Sequence, residues 1–325
     1  MSLKTVAVLR GGVGSEHDVS LQTGAQVLRH LSDTLADRYK AIDIFIDRNG
    51  VWHMRGAPAS PQKVLGVVDA VWNGLHGEYG EDGTVQRTLD AFGVPYTGSG
   101  VYASSVAINK KLTKERLRSA GIRTPHAVSL EVSASLPADI VRVFRTFPQP
   151  SVIKPVNAGS SVGVSLARTF AEFEQGVKTA FQYAPVVLIE EYIPGREATC
   201  AVVDSFRGAL HYQLPPVEII PPFGASFFNY EAKYGAGTVE HCPGHFSRAE
   251  TESVQEMARH IHSLFGLRHY SRSDFIISPK GVYVLEVNTL PGLTENSLLP
   301  KSLQAVGVSL PGFIDHVLTL ALNKG

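Results

Sequence analysis

Apolar residues recur along this chain in two rhythms. Short, near-continuous runs at Val6–Leu9, Ile42–Ile46, Val67–Trp72, Val152–Pro155 and Val186–Ile189 read as strands buried within a sheet. Longer stretches at Val19–Leu31, Thr84–Phe92 and Pro311–Leu322 read as helices, the last amphipathic and closing the chain. Gly93 ends the second of these, and Val94–Thr97 follows as a short strand. Strand and helix alternate through residues 1–103, which predicts an α/β unit. A basic helix around Ala107–Lys114, closed by Gly121 and Pro125, opens a second unit. Glu190–Glu197 reads as a turn into a third unit that runs to Gly325.

The informative departure from these rhythms is Arg272–Gly292. Two apolar runs flank Ser278-Pro279-Lys280-Gly281. Proline second and glycine fourth suit a type I turn, so the segment reads as a β-hairpin. Alternation puts Glu286 and Asn288 on one face, and folding at the turn brings Asp274 to within about one position of Glu286. Two carboxylates at ~4 Å repel by about 4 kcal/mol at an effective dielectric of ~20. A raised pKa or a bound cation would offset that. Asp274, Glu286 and Asn288 offer only oxygen, which favours Mg²⁺ or Mn²⁺ over zinc, with water or phosphate oxygens completing the shell. Taken alone, the pattern fits a solvated acidic hairpin equally well.

Three further stretches are built as binding loops rather than as connectors. Gly11-Gly12-Val13-Gly14 lies between a strand and a helix, with Glu16 and His17 beside it. It is an incomplete dinucleotide fingerprint, and no acidic residue follows a second strand at the usual distance, so a dehydrogenase reading fails. Asn73–Thr84 combines four glycines with charged residues and His76. Val156–Val164, rich in glycine and serine, follows Lys154 and exposes backbone N–H groups suited to phosphate, although it has no Walker pattern. Residues 221–238, proline at one end and glycine at the other, read as a lid.

Composition narrows the function classes. The chain has 325 residues, with 30 Lys plus Arg against 30 Asp plus Glu, so no basic field for nucleic acid or an anionic membrane is present. No apolar run approaches the ~20 residues of a membrane span, and the opening residues read as a first strand rather than a signal peptide. Two cysteines, Cys200 and Cys242, read as thiols in a reducing cytoplasm. His260 and His262 lie two apart in a helical stretch, point different ways, and are assigned to the surface.

Five motifs in order resemble the D-alanine–D-alanine ligases of the ATP-grasp superfamily: Ser15–Leu21, Leu75-His76-Gly77 with Gly80–Thr84, Gly159–Gly163, Tyr230–Tyr234 and Leu285–Gly292. The likeness runs from Gly11 to the last helix. It implies a three-domain fold of mixed α/β and α+β type, with a Rossmann-like parallel-sheet domain at 1–103, a central domain at 104–187 and a catalytic domain at 188–325. It also implies an ATP-dependent ligase that phosphorylates one D-alanine and lets the amine of a second attack the acyl phosphate, for peptidoglycan synthesis. By the same resemblance Asp274, Glu286 and Asn288 match ligands of two Mg²⁺ or Mn²⁺ ions. Lys110, Lys154 and Ser161 match phosphate contacts, Lys233 the lid lysine, and Glu190, the Ile193 backbone and Glu197 the adenosine contacts. Glu16 matches the partner of the first substrate's ammonium, with His76 close by. Arg272 and the Gly292 N–H match the oxyanion stabilisers, Ser297 and Leu298 the holders of the second substrate's carboxylate, and Ser160 and Tyr234 a link from Glu16 to the lid. A cytoplasmic homodimer acting on small molecules, without nucleic acid or membrane partners, is implied too.

Two positions depart from the family pattern. Asn109 replaces the usual Asp before the first phosphate lysine, which is expected to weaken a helix-start contact, and Arg10–Gly14 replaces the usual Phe-Gly-Gly opening. The nearest rival is a ligase of the same fold that joins D-alanine to D-lactate or D-serine. Lys233-Tyr234 argues for the dipeptide, because ester-forming relatives carry a different, basic lid. A nucleotide-binding protein that has lost catalysis is opposed by the intact Arg272, Asp274, Glu286, Asn288 and Lys233.

Overall fold

A computed structural model describes residues 3–157, 159, 162–222 and 237–323. Three sheets organise these residues. The first has the order β4-β3-β2-β1-β5, with β1 (Lys4–Gly11), β2 (Tyr39–Ile46), β3 (Trp52–Met54), β4 (Ala57–Pro58) and β5 (Ala70–Asn73). β1 pairs parallel with both β2 and β5, crossing over through α1 (His17–Asp33). This is the expected parallel unit, with an antiparallel β3–β4 addition at one edge. Val94–Thr97 contributes a single bridge from Tyr96 to Val71 rather than a strand.

The second sheet, β6-β9-β7-β8, is antiparallel. It comprises β6 (Ala127–Glu131), β7 (Ser151–Pro155), β8 (Ser165–Ala167) and β9 (Val186–Glu191). Glu190 and Glu191, expected in a turn, extend β9, because Glu190 pairs with both Ala127 and Val152. The third sheet runs β13-β12-β10-β14-β15, with β11 also on β10. Its strands are β10 (Arg196–Phe206), β11 (Ala209–Gln213), β12 (Val217–Ile220), β13 (Val239–His241), β14 (Tyr270–Ser278) and β15 (Gly281–Asn288).

The expected divisions at 103/104 and 187/188 fall inside elements. The first cuts α4 (Val101–Ile108) and the second cuts β9. Ala103 and Ala107, with Leu117 of α5 (Lys110–Ser119), pack against Cys200, Phe275 and Val287, so this helical pair belongs with the third sheet. The basic helix expected at Ala107–Lys114 is broken at Asn109, whose extended backbone lets its Oδ1 accept from the N–H groups of Lys111 and Leu112, 3.1 Å each. Asparagine therefore keeps the helix-start contact that it was expected to weaken.

One further expectation fails. α8 (Arg248–Phe265) buries Val254, Ala258, Ile261, His262 and Phe265. His262 falls on that stripe, four after Ala258 and three before Phe265, and is buried, whereas His260 is exposed as expected. Two helices close the chain, α9 (Leu298–Ala305) and α10 (Leu310–Leu322). Phe313, Ile314, Val317 and Leu318 share one core with Val6, Val8 and Trp72 of the first sheet and Tyr270 of the third. The chain's end thereby clamps two units together. Among the described residues no single helix is long and apolar enough to cross a membrane.

Candidate active site

The hairpin β14–β15 forms as its turn predicts, with Ser278 paired to Gly281. Its register shifts by one residue between Asp274 and Phe275, so Leu285 is absorbed in a bulge. The expected one-position offset disappears: Asp274 stands directly opposite Glu286, and Arg272 opposite Asn288. Two cross-strand pairs thus present a guanidinium, two carboxylates and an amide on one face.

These groups are held by specific contacts. Nε and Nη2 of Arg272 donate to Oδ1 and Oδ2 of Asp274, both at 2.8 Å. Thr199 of β10 adds an O–H donor to Asp274 Oδ1 at 2.6 Å. Burial opposes the Arg272 charge, but Asp274 outweighs it and raises the guanidinium's pKa. Glu286 Oε2 lies 3.4 Å from Lys110 Nζ. Asn288 Oδ1 accepts from the Leu290 N–H at 3.0 Å and leads into the exit loop. The open, all-oxygen set of Asp274, Glu286 and Asn288 fits a hard divalent cation.

A second cluster lies beneath the neighbouring sheet. Glu190 of β9 sits 2.7 Å from Lys154 of β7 and 2.8 Å from Lys114 of α5. All three are buried. Burial alone would raise the Glu190 carboxyl, but the two ammonium groups outweigh it and lower its pKa. Lys114 is pulled down to about 8, chiefly by burial, with Glu190 opposing and Lys154 assisting. Nζ of Lys114 also donates to Thr124 Oγ1 at 2.8 Å. Two cations against one anion leave an excess positive charge under the cleft.

A third cluster joins the first unit to the hairpin's exit. Glu16 lies where the chain leaves β1 for α1, and its carboxylate is pressed between two glycines. A Cβ on Gly77 would come within 2.5 Å of its Oε2, and one on Gly159 within 2.3 Å. Gly77 moreover has φ +65°. Gly77 and Gly159 are therefore required by packing around this one carboxylate. His76 accompanies it, buried, with Nε2 2.8 Å from Thr23 Oγ1. Burial lowers the imidazole's pKa against the pull of Glu16, which favours the neutral ring. Glu81 closes the joint. Oε1 accepts from Thr289 Oγ1 at 3.0 Å and the Leu290 N–H at 2.9 Å, and Oε2 accepts from the Gly77 N–H at 2.9 Å. Burial, then Glu16, push its carboxyl up to about 7 despite these donors.

One cleft of about 820 Å³ connects the three clusters. Lining it are Glu16, His76, Lys110, Lys154, Glu190, Ile193, Glu197, Arg272, Asp274, Glu286, Asn288, Gly292, Ser297 and Leu298, every described candidate from the sequence. Ser297 precedes α9 without capping it, its hydroxyl instead lying 2.7 Å from Thr294 Oγ1. The start of α9 lines the cleft beside Gly292 with no side-chain cap on its first turn, a place suited to a carboxylate. Ser160, Ser161, Lys233, Tyr234 and most of the 221–238 lid lie outside the described residues.

Sequence reasoning missed Lys114, Thr199 and Glu81. Thr199 shares a strand face with Glu197, so alternation along Arg196–Thr199 was an available signal. Glu81 lay within a recognised motif but was given no role. Lys114 reads as one more lysine in a basic helix, and no local pattern marks it as buried.

Comparison with known proteins agrees with this geometry over nearly the whole chain. A family model described as "D-ala D-ala ligase C-terminus" matches residues 117–319, and one described as "D-ala D-ala ligase N-terminus" matches 5–64 and 53–99. The D-alanine--D-alanine ligase of Syntrophobacter fumaroxidans is 38% identical over 321 residues, 98% of each chain. That of Desulfotalea psychrophila is 37% identical, covering 98% of this chain and 95% of the relative. Among solved structures, the D-alanine--D-alanine ligase of Bacillus anthracis superposes with a TM-score of 0.81 at 33% identity, covering 99% of this chain and 98% of that one. The VanG D-Ala:D-Ser ligase of Enterococcus faecalis superposes with a TM-score of 0.84 at 27% identity, covering 98% of this chain and all of the other.

Proposed function

The chain belongs to the D-alanine–D-alanine ligase family, of ATP-grasp fold, and from that premise we propose how its own residues conduct the reaction. The activity is ATP-dependent joining of two D-alanines to D-alanyl-D-alanine for peptidoglycan synthesis. The family uses ATP and a divalent metal. The convergence of Arg272, Asp274, Glu286 and Asn288 on one hairpin face carries the reading.

A carboxylate is a poor electrophile, because its charge repels an incoming amine. In the proposed course an oxygen of the first D-alanine's carboxylate attacks the γ-phosphorus of ATP, and ADP leaves. The amine of the second D-alanine then attacks the acyl carbon, and the tetrahedral intermediate expels phosphate while the nitrogen gives up its proton. Asp274, Glu286 and Asn288 would hold two Mg²⁺ or Mn²⁺ ions, which when bound neutralise charge on the triphosphate. Lys110 and Lys154 bind the phosphates, the latter supported by the surplus charge of the buried lysine pair. Glu190, Ile193 and Glu197 take the adenosine.

Glu16 pairs with the first ammonium beside a neutral His76. Arg272 and the Gly292 N–H stabilise the oxyanion, a role in which one donor is worth ~3–4 kcal/mol. Ser297 and the N-terminus of α9, starting at Leu298, hold the second carboxylate. By resemblance, Ser160 and Tyr234 link Glu16 to the lid, while Ser161 and Lys233 reach the phosphates. Three units close to 1–103, 104–187 and 188–325, with α4 and α5 grouped with the third sheet and β9 kept whole in the second unit, a homodimer and a cytoplasmic setting complete the proposal, the last two supported by the family resemblance.

The test is ADP release with D-alanine, L-alanine, D-serine and D-lactate, each with and without Mg²⁺. D-alanine with Mg²⁺ should give the fastest release and a dipeptide product. ADP release indifferent to D-alanine would overturn the reading, and faster turnover with D-lactate or D-serine as second substrate would move it to the depsipeptide-forming or the D-serine-type relatives, respectively.

A further inference from the structure

Behind the catalytic sheet, away from every residue assigned above, three metal-ligating side chains from three elements converge. Asp204 lies near the end of β10, His211 on the antiparallel β11 beside it, and His262 on the buried face of α8. Their donor atoms all lie within 4.8 Å of one another. Nδ1 of His211 is 2.7 Å from Asp204 Oδ1, and Nε2 of His262 is 2.9 Å from that same oxygen.

Three observations distinguish this cluster from an ordinary histidine–aspartate pair. First, the carboxylate is divided: Oδ2 accepts the His269 N–H at 2.5 Å, which leaves Oδ1 to both imidazoles. Second, Nε2 of His262 is buried and, despite its proximity to Oδ1, makes no hydrogen bond of good geometry. Third, the other nitrogen of that ring is held from behind, with Nδ1 2.7 Å from Ser271 Oγ. A hydroxyl at that place fixes ring orientation, as outer partners of metal-bound histidines do.

We propose that Asp204, His211 and His262 form a binding site for a zinc-class transition-metal ion, with solvent as a fourth ligand, distinct from the oxygen-only site on the hairpin. Two nitrogens and one carboxylate oxygen match zinc coordination, whereas magnesium takes oxygen ligands. Metal–nitrogen and metal–oxygen bonds of ~2.0–2.2 Å place tetrahedral ligands roughly 3.4 Å apart, so from 2.7 and 2.9 Å the rings need retreat from Oδ1 by about 0.7 Å for His211 and about 0.5 Å for His262. In the ligating form His262 carries its proton on Nδ1, donated to Ser271 Oγ, and His211 carries its proton on Nε2. Entry is from the side of Asp204 and His211, whose side chains are 15% and 19% exposed while His262 is fully covered. A bound ion would tie α8 to the β10–β11 hairpin, a staple on the back of the sheet whose front holds Arg272 and Asp274.

The full chain, stripped of metal by a chelator and free of nucleotide, is titrated with Zn²⁺ by calorimetry and with Co²⁺ by visible absorption. One zinc per chain and the intense d–d bands of tetrahedral cobalt are expected. At a hundredfold excess over Kd, Tm should rise by about 5 °C. His211→Ala, at the rim, should keep its fold and lose at least tenfold in zinc affinity; should it not fold, His211→Gln carries the same expectation. Glu286→Gln should leave zinc uptake unchanged, which separates this site from the hairpin. The proposal is overturned if the nucleotide-free chain takes up no zinc. It is equally overturned if the His211 variant binds as the unaltered chain does, or if Glu286→Gln abolishes uptake.

Discussion

The hairpin face and the buried lysine pair are both charged, yet they are stabilised in opposite ways. On the hairpin, two carboxylates, Asp274 and Glu286, face two cations, Arg272 and Lys110, and Glu286 remains partly open to the cleft. On the central sheet, two ammonium groups surround one carboxylate, and all three are buried, with Lys154 and Glu190 lining the cleft. The first region can change partners when a cation or triphosphate enters. The second cannot lose Glu190 without leaving two buried ammonium groups uncompensated. The open charges can re-pair with a ligand, whereas the buried cluster, which lines the same cleft through Lys154 and Glu190, fixes the field that a ligand meets.

Substitutions can break that contrast. Glu286→Ala should have the largest effect on turnover. Metal-dependent ADP formation should fall by roughly 10³-fold or more, about 4 kcal/mol, with the circular dichroism spectrum and Tm retained. A variant turning over near the original rate would remove the hairpin from the metal site. Glu190→Gln should do the reverse, costing ~3–5 kcal/mol of folding stability in urea titration because Lys114 and Lys154 lose their counter-charge. If it unfolds no more readily than Glu286→Gln, the two regions do not differ in kind.

Glu81 sharpens the comparison, being a carboxylate sealed in like the lysine pair yet placed at the cleft. Its folded pKa of about 7 lies above the ordinary value of 4.5. Its contribution to stability is therefore fully present below pH 4.5 and is lost as pH rises through 7. That is a loss of up to about 3 kcal/mol at 1.36 kcal/mol per unit. Tm measured from pH 4.5 to 8 should fall along this course in the unaltered chain and run flatter in Glu81→Gln. Parallel curves would show that the carboxyl is not strained by burial. Smallest of all, Thr199→Val removes one of the donors on Asp274 and should lower kcat/KM about fivefold, near 1 kcal/mol. An unchanged value would make that hydroxyl structural only.

Much of the site was legible because its parts are local. Asp274, Glu286 and Asn288 lie on two adjacent strands joined by a four-residue turn, so alternation and the turn chemistry of Ser278–Gly281 place them together. The glycine loops were legible as binding loops, but not as the walls around Glu16, since Gly77 and Gly159 meet it from different units. The bulge at Leu285, which sets Asp274 directly across from Glu286, leaves no trace in the alternation. Glu190 was recognised as a contact residue yet placed in a turn, because its strand pairing depends on β6 and β7, both distant in sequence.

What the linear order of residues decided by itself is the parallel unit at the start, the hairpin and its oxygen character, the closing helix and the family's five motifs. All follow from periodicity, turn preference and donor chemistry over short spans. Tertiary structure alone decided which charges are sealed. Lys114 and His262 look like surface residues in their helices and become buried only because a sheet packs over the stripe on which they fall. Desolvation acts through every neighbour at once, whatever its distance along the chain, so no local pattern can announce it.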